Sequence, residues 1–109
     1  MKKIGGNTQL VLKQKVTTKN DIGEPISTWD DYKTIIGYLD FSNEATGRTS
    51  FNSKIEESSH VFICDYVEID RSERDLKAYC NGKEFDITYI DDPMGLHYHL
   101  EIFLDYVGD

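Results

Sequence analysis

The sequence predicts a mainly β protein, a small antiparallel β-barrel or a sandwich of about six strands. The pair Asn81-Gly82 stands between two runs of strand-forming residues, and it favours a hairpin because a type I′ turn needs positive φ at both central positions. Short runs that alternate apolar with polar side chains recur along the chain, as expected of strands with one buried face. One long polar stretch interrupts them, so we expect one long loop or a short helix between strands 2 and 3.

The first strand is expected over residues 9–17, where Leu10, Leu12 and Val16 share one side. The segment that follows, 19–25, reads Lys-Asn-Asp-Ile-Gly-Glu-Pro. This is turn chemistry, because Asn and Asp bond to their own backbone, Gly supplies positive φ and Pro fixes φ.

A long second strand is expected from residue 26 to about residue 41, with a bend near 30–31. Gly37 inside it predicts a bulge or a close approach of another backbone segment. Aromatic and branched side chains give this strand its β character: Trp29, Tyr32, Ile35, Ile36, Tyr38, Leu39 and Phe41.

Strand periodicity returns over residues 60–67, with Val61 and Ile63 on one face, and a charged connection follows over 67–75. The hairpin comes next. The final alternation predicts a closing strand with one apolar face, formed by Tyr98, Leu100, Ile102, Leu104 and Tyr106.

The second strand of the predicted hairpin follows the Asn-Gly turn. Phe85, Ile87 and Tyr89 alternate with polar residues, so we expect these three side chains on one apolar face. Pro93 ends the strand, since proline cannot donate to a β-ladder.

The stretch 42–59 differs in kind from the rest of the chain. Ten of its 18 residues are Ser, Thr, Asn or Gly, and Phe51 and Ile55 are its only large apolar side chains. Because these two are four residues apart, a short helix over about 48–57 is conceivable, although the small polar residues around it disfavour helix. Spacing alone does not separate a loop that changes conformation on assembly from a surface loop with no role.

Length and charge limit the function. A chain of 109 residues fits one domain, 1–109, and its formal net charge of −8 argues against a protein that binds nucleic acid by neutralising phosphates. No apolar run approaches the ~20 residues of a membrane span, and the first residues lack a signal peptide's apolar core. Two cysteines are too few for a disulfide scaffold and favour a reducing cytoplasm.

Residues with catalytic or ligand chemistry are few. His97 and His99 could contribute two metal ligands, with Asp91 or Asp92 as a third, but a solvated strand face beside an acidic turn explains them better. The two cysteines, Cys64 and Cys80, are interpreted as small buried residues. We therefore expect no enzyme, no cofactor and no metal site.

Four segments in their order resemble the phage head–tail joining family, the head-closure or stopper proteins of tailed bacteriophages. They are 13–25 with its Asp-Ile-Gly-Glu-Pro turn, 29–32 (Trp-Asp-Asp-Tyr), 59–63, and 76–87 with the predicted hairpin. The resemblance runs nearly from end to end. It implies a small β-barrel with a short helix that assembles as a ring, typically a dodecamer, between connector or adaptor proteins and the tail.

The resemblance also implies roles for particular residues. The loop between the second and third strands would point into the channel and help to hold packaged DNA, which passes through without sequence-specific binding. Trp29, Tyr32 and Tyr38 are candidates for subunit contact or core. The candidate channel-loop residues are Ser42, Asn43, Glu44, Arg48, Phe51, Lys54 and Ile55.

Such a protein would reside in the virion, and in the host cytoplasm during assembly, with no membrane partner and a monomeric state possible in isolation. Two features depart from the family pattern. The loop is richer in Ser and Asn than the usual helix-forming version, and Asp65 stands where relatives often carry a basic residue.

Two other functions remain open at the level of sequence. A small barrel of the SH3 or OB type could bind a peptide or another partner, although an OB-fold for single strands would need exposed aromatics among basic residues. The second alternative is that the chain is another tail-completion component of the same virion.

Overall fold

The computed structural model describes residues 3–41 and 58–108, and its six strands form one closed antiparallel barrel in the order β1-β2-β3-β6-β5-β4. This confirms the predicted fold class. The loop or short helix predicted between strands 2 and 3 lies, from residue 42 to 57, outside the described residues. The strands are β1 Thr8–Lys19, β2 Pro25–Phe41, β3 His60–Asp65, β4 Leu76–Cys80, β5 Lys83–Asp91 and β6 His99–Gly108, with short 3₁₀ turns at Glu73–Asp75 and Pro93–Gly95.

The barrel interior is filled by alternate side chains from all six strands. Inward positions on β1 (Leu10, Leu12), β3 (Phe62) and β5 (Phe85) are fully buried. Complete burial of one such side chain stabilises the fold by roughly 1.5–3 kcal/mol. The remaining members of the core cluster are Ile35, Cys64, Leu76, Ala78, Cys80, Ile87, Leu100, Ile102 and Leu104.

The barrel closes where β1 pairs with β4. The register places Lys13 directly opposite Lys77, an arrangement that like charge would destabilise. Each ammonium group has its own partners. Lys13 lies 3.7 Å from Asp31 and 5.3 Å from the centre of the Tyr79 ring. Lys77 lies 3.3 Å from a carboxylate oxygen of Glu84 and 4.8 Å from the Trp29 ring centre.

The hairpin between β4 and β5 has the predicted turn. Cys80 pairs with Lys83, so the loop has two residues, and Asn81 (φ 53°) and Gly82 (φ 78°) both lie in the left-handed region. These are the angles that a type I′ turn requires.

Three register shifts bend the described sheet, and the one nearest the C-terminus leaves Val107 of β6 as the extra residue. The first lies on β2, where Leu12 pairs with Lys33 and Lys13 with Asp31, so that Tyr32 is the extra residue. The bend expected near residues 30–31 is therefore confirmed as a β-bulge.

The second register shift corrects the prediction for β5. Ile87 pairs with Leu104 and Tyr89 with Phe103, which leaves Thr88 as the extra residue. A one-residue shift reverses the faces of every side chain beyond it. Tyr89 therefore does not share the inward face of Phe85 and Ile87. It lies beside Phe103, and Ile90 packs against the core in its place.

Gly37 lies where three segments of backbone meet. A Cβ atom there would be 2.3 Å from the carbonyl oxygen of Ile63 and 2.9 Å from Cβ of Cys64, while a Cβ on Gly6 would be 2.4 Å from Cα of Gly37. This close approach is the one predicted from the glycine inside the strand.

We predict that Gly37→Ala lowers the free energy of unfolding by about 2–3 kcal/mol, because the added methyl meets backbone that cannot rotate away. Urea denaturation measures this change in the free energy of unfolding. Gly108→Ala is the matched control on β6, since nothing lies within 4 Å of its Cβ position, and we expect a change of less than ~0.5 kcal/mol. Equal stability of both variants would contradict the close packing at residue 37.

Candidate assembly surfaces

A two-stranded arm, residues 15–31, extends from one end of the barrel. Beyond Gln14, β1 pairs with β2 alone, and most side chains of the arm are exposed. Asn20 organises the tip, because its side-chain oxygen accepts the backbone N–H groups of Ile22 (3.0 Å) and Glu24 (2.9 Å). Ile22 is 76% exposed at this tip. The turn chemistry predicted for 19–25 thus builds a well-defined tip that exposes Ile22.

The three aromatic residues predicted as subunit contact or core occupy different environments. Trp29 lies on the outer face of the arm, half-buried beneath the ammonium group of Lys77. Tyr32 packs partly against the core. Tyr38 is 43% exposed on the outside of β2, close to Ile36, which is also exposed.

Tyr32 also ties the β3–β4 connection to β2. Its hydroxyl donates to the carboxylate of Asp70 at 2.5 Å and accepts the backbone N–H of Asp70 at 3.0 Å. Partial burial, and then this bond, raise the pKa of Tyr32, while the tyrosine hydroxyl lowers the pKa of Asp70. The ammonium group of Lys33 donates to the carbonyl oxygen of Glu68 beside it. The charged connection is thus held along the barrel wall.

Asp65 holds the N-terminal segment against the barrel. Its two carboxylate oxygens accept the backbone N–H groups of Ile4 (2.7 Å) and Gly5 (3.0 Å), some 60 residues away in sequence. These two donors hold the pKa of the Asp65 carboxyl below its ordinary value. The acidic residue at this position therefore has a structural role within the chain.

The β5–β6 turn presents apolar side chains on a constrained backbone. Met94 and His97 have positive φ (59° and 58°), and Met94 is 89% exposed. Asp92 fixes the turn, since its carboxylate accepts the backbone N–H of His97 at 3.0 Å and contacts the imidazole of the same residue. Leu96 and Tyr98 are exposed beside it.

The two candidate metal ligands lie in different local structures. His97 belongs to the turn, and His99, where β6 begins, contacts Glu101 at 3.3 Å. Their spacing predicted that both side chains lie on one face of a strand, but the structure shows that they do not. Within the two described stretches, no group of three or more His, Cys, Asp or Glu residues is arranged to hold a metal ion.

Both cysteines are buried core residues, as predicted. Burial, with the nearby Asp65 charge as a smaller cause, raises the pKa of the Cys64 thiol to about 12. Burial also raises the pKa of Cys80. Both thiols are therefore poor nucleophiles at neutral pH.

The end of the stretch predicted as a loop is fixed to the barrel. Ser58 is 7% exposed, and its hydroxyl bonds that of Thr88 at 2.6 Å. The Ser59 hydroxyl accepts the backbone N–H of Tyr106 at 2.8 Å. Sequence periodicity did not reveal these anchors. The candidate channel-loop residues lie outside the described residues; they are Ser42, Asn43, Glu44, Arg48, Phe51, Lys54 and Ile55.

The barrel carries its connections at two opposite ends. The arm, the β3–β4 connection and the β5–β6 turn leave from one end, which we call the arm end. The 42–57 segment and the Asn81-Gly82 turn leave from the other, the loop end. β2 joins the two ends over its 17 residues. At ~3.3 Å per residue it spans on the order of 50 Å.

A closed barrel with two distinct ends agrees with comparison to known proteins. The family of phage head completion proteins matches residues 1–106. The chain belongs to this family. The head completion family is a structural one, so its members contribute to a phage particle as components of the head. Across residues 3–41 and 58–108, no helix is long and apolar enough to cross a membrane.

One solved structure supports the fold independently. A chain in the virion of a native gene transfer agent particle superposes with a TM-score of 0.54 at 15% sequence identity, covering 94% of this chain and 96% of that one. At this identity the likeness concerns the fold. Comparison with curated proteins finds no matching sequence.

We predict that Asp65→Asn releases the N-terminal segment, because the neutral amide loses the charge that attracts both N–H donors. Hydrogen exchange should show faster exchange at Ile4 and Gly5 at neutral pH. Asp86→Asn, at an exposed position on β5, is the control and should leave both amides unchanged.

The same contact gives a pH dependence. Since the folded pKa of Asp65 is lowered from 3.8, its contribution is fully present above pH 3.8 and is lost as the pH falls through the folded value. Protection of Ile4 and Gly5 should therefore decline below about pH 3.8 in the wild type and stay flat in Asp65→Asn. A wild-type decline near neutral pH would contradict this assignment.

Proposed function

We propose that this protein is a head–tail connector subunit that closes the capsid after DNA packaging and provides the interface to which the tail attaches. The observation that carries the proposal is the match of the head completion family over residues 1–106. The virion origin of the similar structure supports a place in the particle. Its partners would be connector or adaptor proteins at one end and tail proteins at the other, with neighbouring copies forming a dodecameric ring.

The two ends of the barrel suit a component placed between two assemblies. The closed sheet separates the arm end from the loop end along residues 32–41 of β2, roughly 30 Å at ~3.3 Å per residue. At the arm end the β5–β6 turn carries neighbouring exposed apolar side chains, Met94, Leu96 and Tyr98, and such a group is typical of a protein contact surface. The loop end carries the long polar segment. Contacts at both ends would place the barrel as a spacer between head and tail.

The charge of the chain favours a channel through which DNA slides. Each copy has a formal net charge of −8, and a ring multiplies that charge around its axis. Like charge keeps a polyanion from adhering to the wall. Retention of DNA would then depend on a physical obstruction, for which the 42–57 segment is the candidate, with Phe51 and Ile55 contributing contacts between neighbouring loops.

We predict that deleting residues 46–54 gives particles that package DNA and then lose it, because the obstruction would be too short to span the channel. DNA content of purified particles, measured by nuclease sensitivity, tests this expectation. The purified variant should unfold with the wild-type free energy, since Ser58 and Ser59 keep their contacts with the barrel. Particles that stay full and nuclease-resistant would refute the obstruction role.

Among the three aromatic candidates, we propose Tyr38 and Trp29 as subunit contacts and Tyr32 as a structural residue. Tyr38→Ser should lower the free energy of unfolding by no more than about 1 kcal/mol, because the ring is 43% exposed and lies outside the core. It should nevertheless reduce the amount of this protein in purified particles. Thr34→Ser, at an exposed position on the same strand, is the control. Wild-type incorporation of Tyr38→Ser would contradict the contact.

A further inference from the structure

The arm is a two-stranded ribbon whose outer edges both lack a neighbour in the described part of the chain. Residues 15–19 of β1 and 25–29 of β2 pair with each other and with no other described strand, and Asp30 and Asp31 pair only with Gln14 and Lys13 of β1. A two-stranded hairpin in water is marginally stable, and an open edge offers unpaired N–H and C=O groups to another strand. The arm therefore has the form of an element completed by a further strand.

The two edges carry opposite charge. The β1 strand of the arm has Lys15 and Lys19, whereas the β2 strand has Asp30 and Asp31 and the tip has Glu24. Pairing of β1 with β1 from another copy would place lysines together, and pairing of β2 with β2 would place carboxylates together. Only β1 against β2 places opposite charges side by side. The charge pattern thus selects one of the three possible edge pairings.

The side chains on the two faces of the arm fit the same pairing. On the outer face, the Asp31 carboxylate is 87% exposed even though it lies 3.7 Å from Lys13 of its own chain, so a neighbouring β1 would bring Lys15 alongside a solvent-accessible carboxylate. On the inner face, the neighbouring strand would bring Val16 alongside the exposed Ile26. Both the polar and the apolar face would gain complementary contacts.

We propose that the arm joins copies of this protein by strand addition, with the basic β1 edge of one copy paired to the acidic β2 edge of the next. Such contact uses two different surfaces on each copy, so it is heterologous and propagates around a ring until the ring closes. The inference deepens the proposed function, because the ring between head and tail supplies the neighbouring copies. It assigns the arm to contacts between copies and leaves the β5–β6 turn to other proteins.

Mixed disulfide formation between two purified full-length variants tests the pairing. Thr17→Cys places a thiol at the centre of the β1 edge, and Ser27→Cys places one on β2; both positions are exposed. The two chains carry tags of different mass and are mixed at equal, high concentration. Diamide then accepts the two electrons and two protons that each new S–S bond releases. The buried Cys64 and Cys80 are monitored in the wild-type chain as background.

We expect the mixed adduct to exceed either self-adduct by about twentyfold, which is about tenfold above the statistical ratio and corresponds to ~1.4 kcal/mol of preference. Random collision gives a mixed yield only about twice that of each self-adduct, and that result, or no adduct at all, would overturn the proposal. Adding Lys15→Glu and Lys19→Glu to the β1 variant should reduce the mixed adduct about tenfold. Adding Asp30→Lys and Asp31→Lys to its partner should restore it, and failure of this restoration also counts against the pairing.

This test is independent of DNA retention in particles. If the disulfide test fails while particles of the 46–54 deletion are nuclease-sensitive, the connector function stands and only the arm contact is removed. If the mixed disulfide forms while particles of the deletion stay nuclease-resistant, the arm contact stands and the closure role is removed.

Discussion

Closure of the sheet through β1 is the constraint on which the rest of the molecule depends. Residues Val11 to Gln14 pair with β2 on one side and with β4 on the other. Without the second pairing the sheet would have two open edges, and the interior side chains of opposite walls would face water. The pairing of β1 with β4 brings Lys13 and Lys77 together. Their like charges are tolerated because each lysine has an acidic and an aromatic neighbour. Trp29 and Tyr79 therefore contribute to closure from outside the core.

A closed barrel also decides which parts of the chain remain available for assembly. Its walls have no free edges over the paired residues, so the available surfaces are confined to the arm, the turns and the outer faces. The connections at the arm end are fixed locally by Asn20, Asp70 and Asp92. Preorganised elements of this kind lose less conformational entropy on binding than mobile ones. A member of a head completion family can thus combine a stiff body with defined contact elements.

The N-terminal segment and the Ser58–Ser59 pair illustrate a second use of long-range hydrogen bonds. Both are short stretches outside the strands, and both form hydrogen bonds with groups far away in sequence. Asp65 holds the first, and Thr88, the extra residue of a bulge, bonds the second. Bulges often redirect a single side chain in this way. The segment that begins beyond Phe41 consequently returns to the barrel at a fixed point.

Features that depend on residues adjacent along the chain could be predicted from the amino-acid sequence. The Asn81-Gly82 turn, the tip at Asn20 and the strand alternation follow from φ preferences and a two-residue period, which act locally. The resemblance to the head–tail joining family likewise depended on local segments in their order. Only the tertiary structure decided the bulge at Thr88, the outward position of Tyr89 and the role of Asp65. These depend on which distant strand lies alongside and in what register, and a register shift of one residue leaves the local sequence pattern unchanged while it reverses the faces.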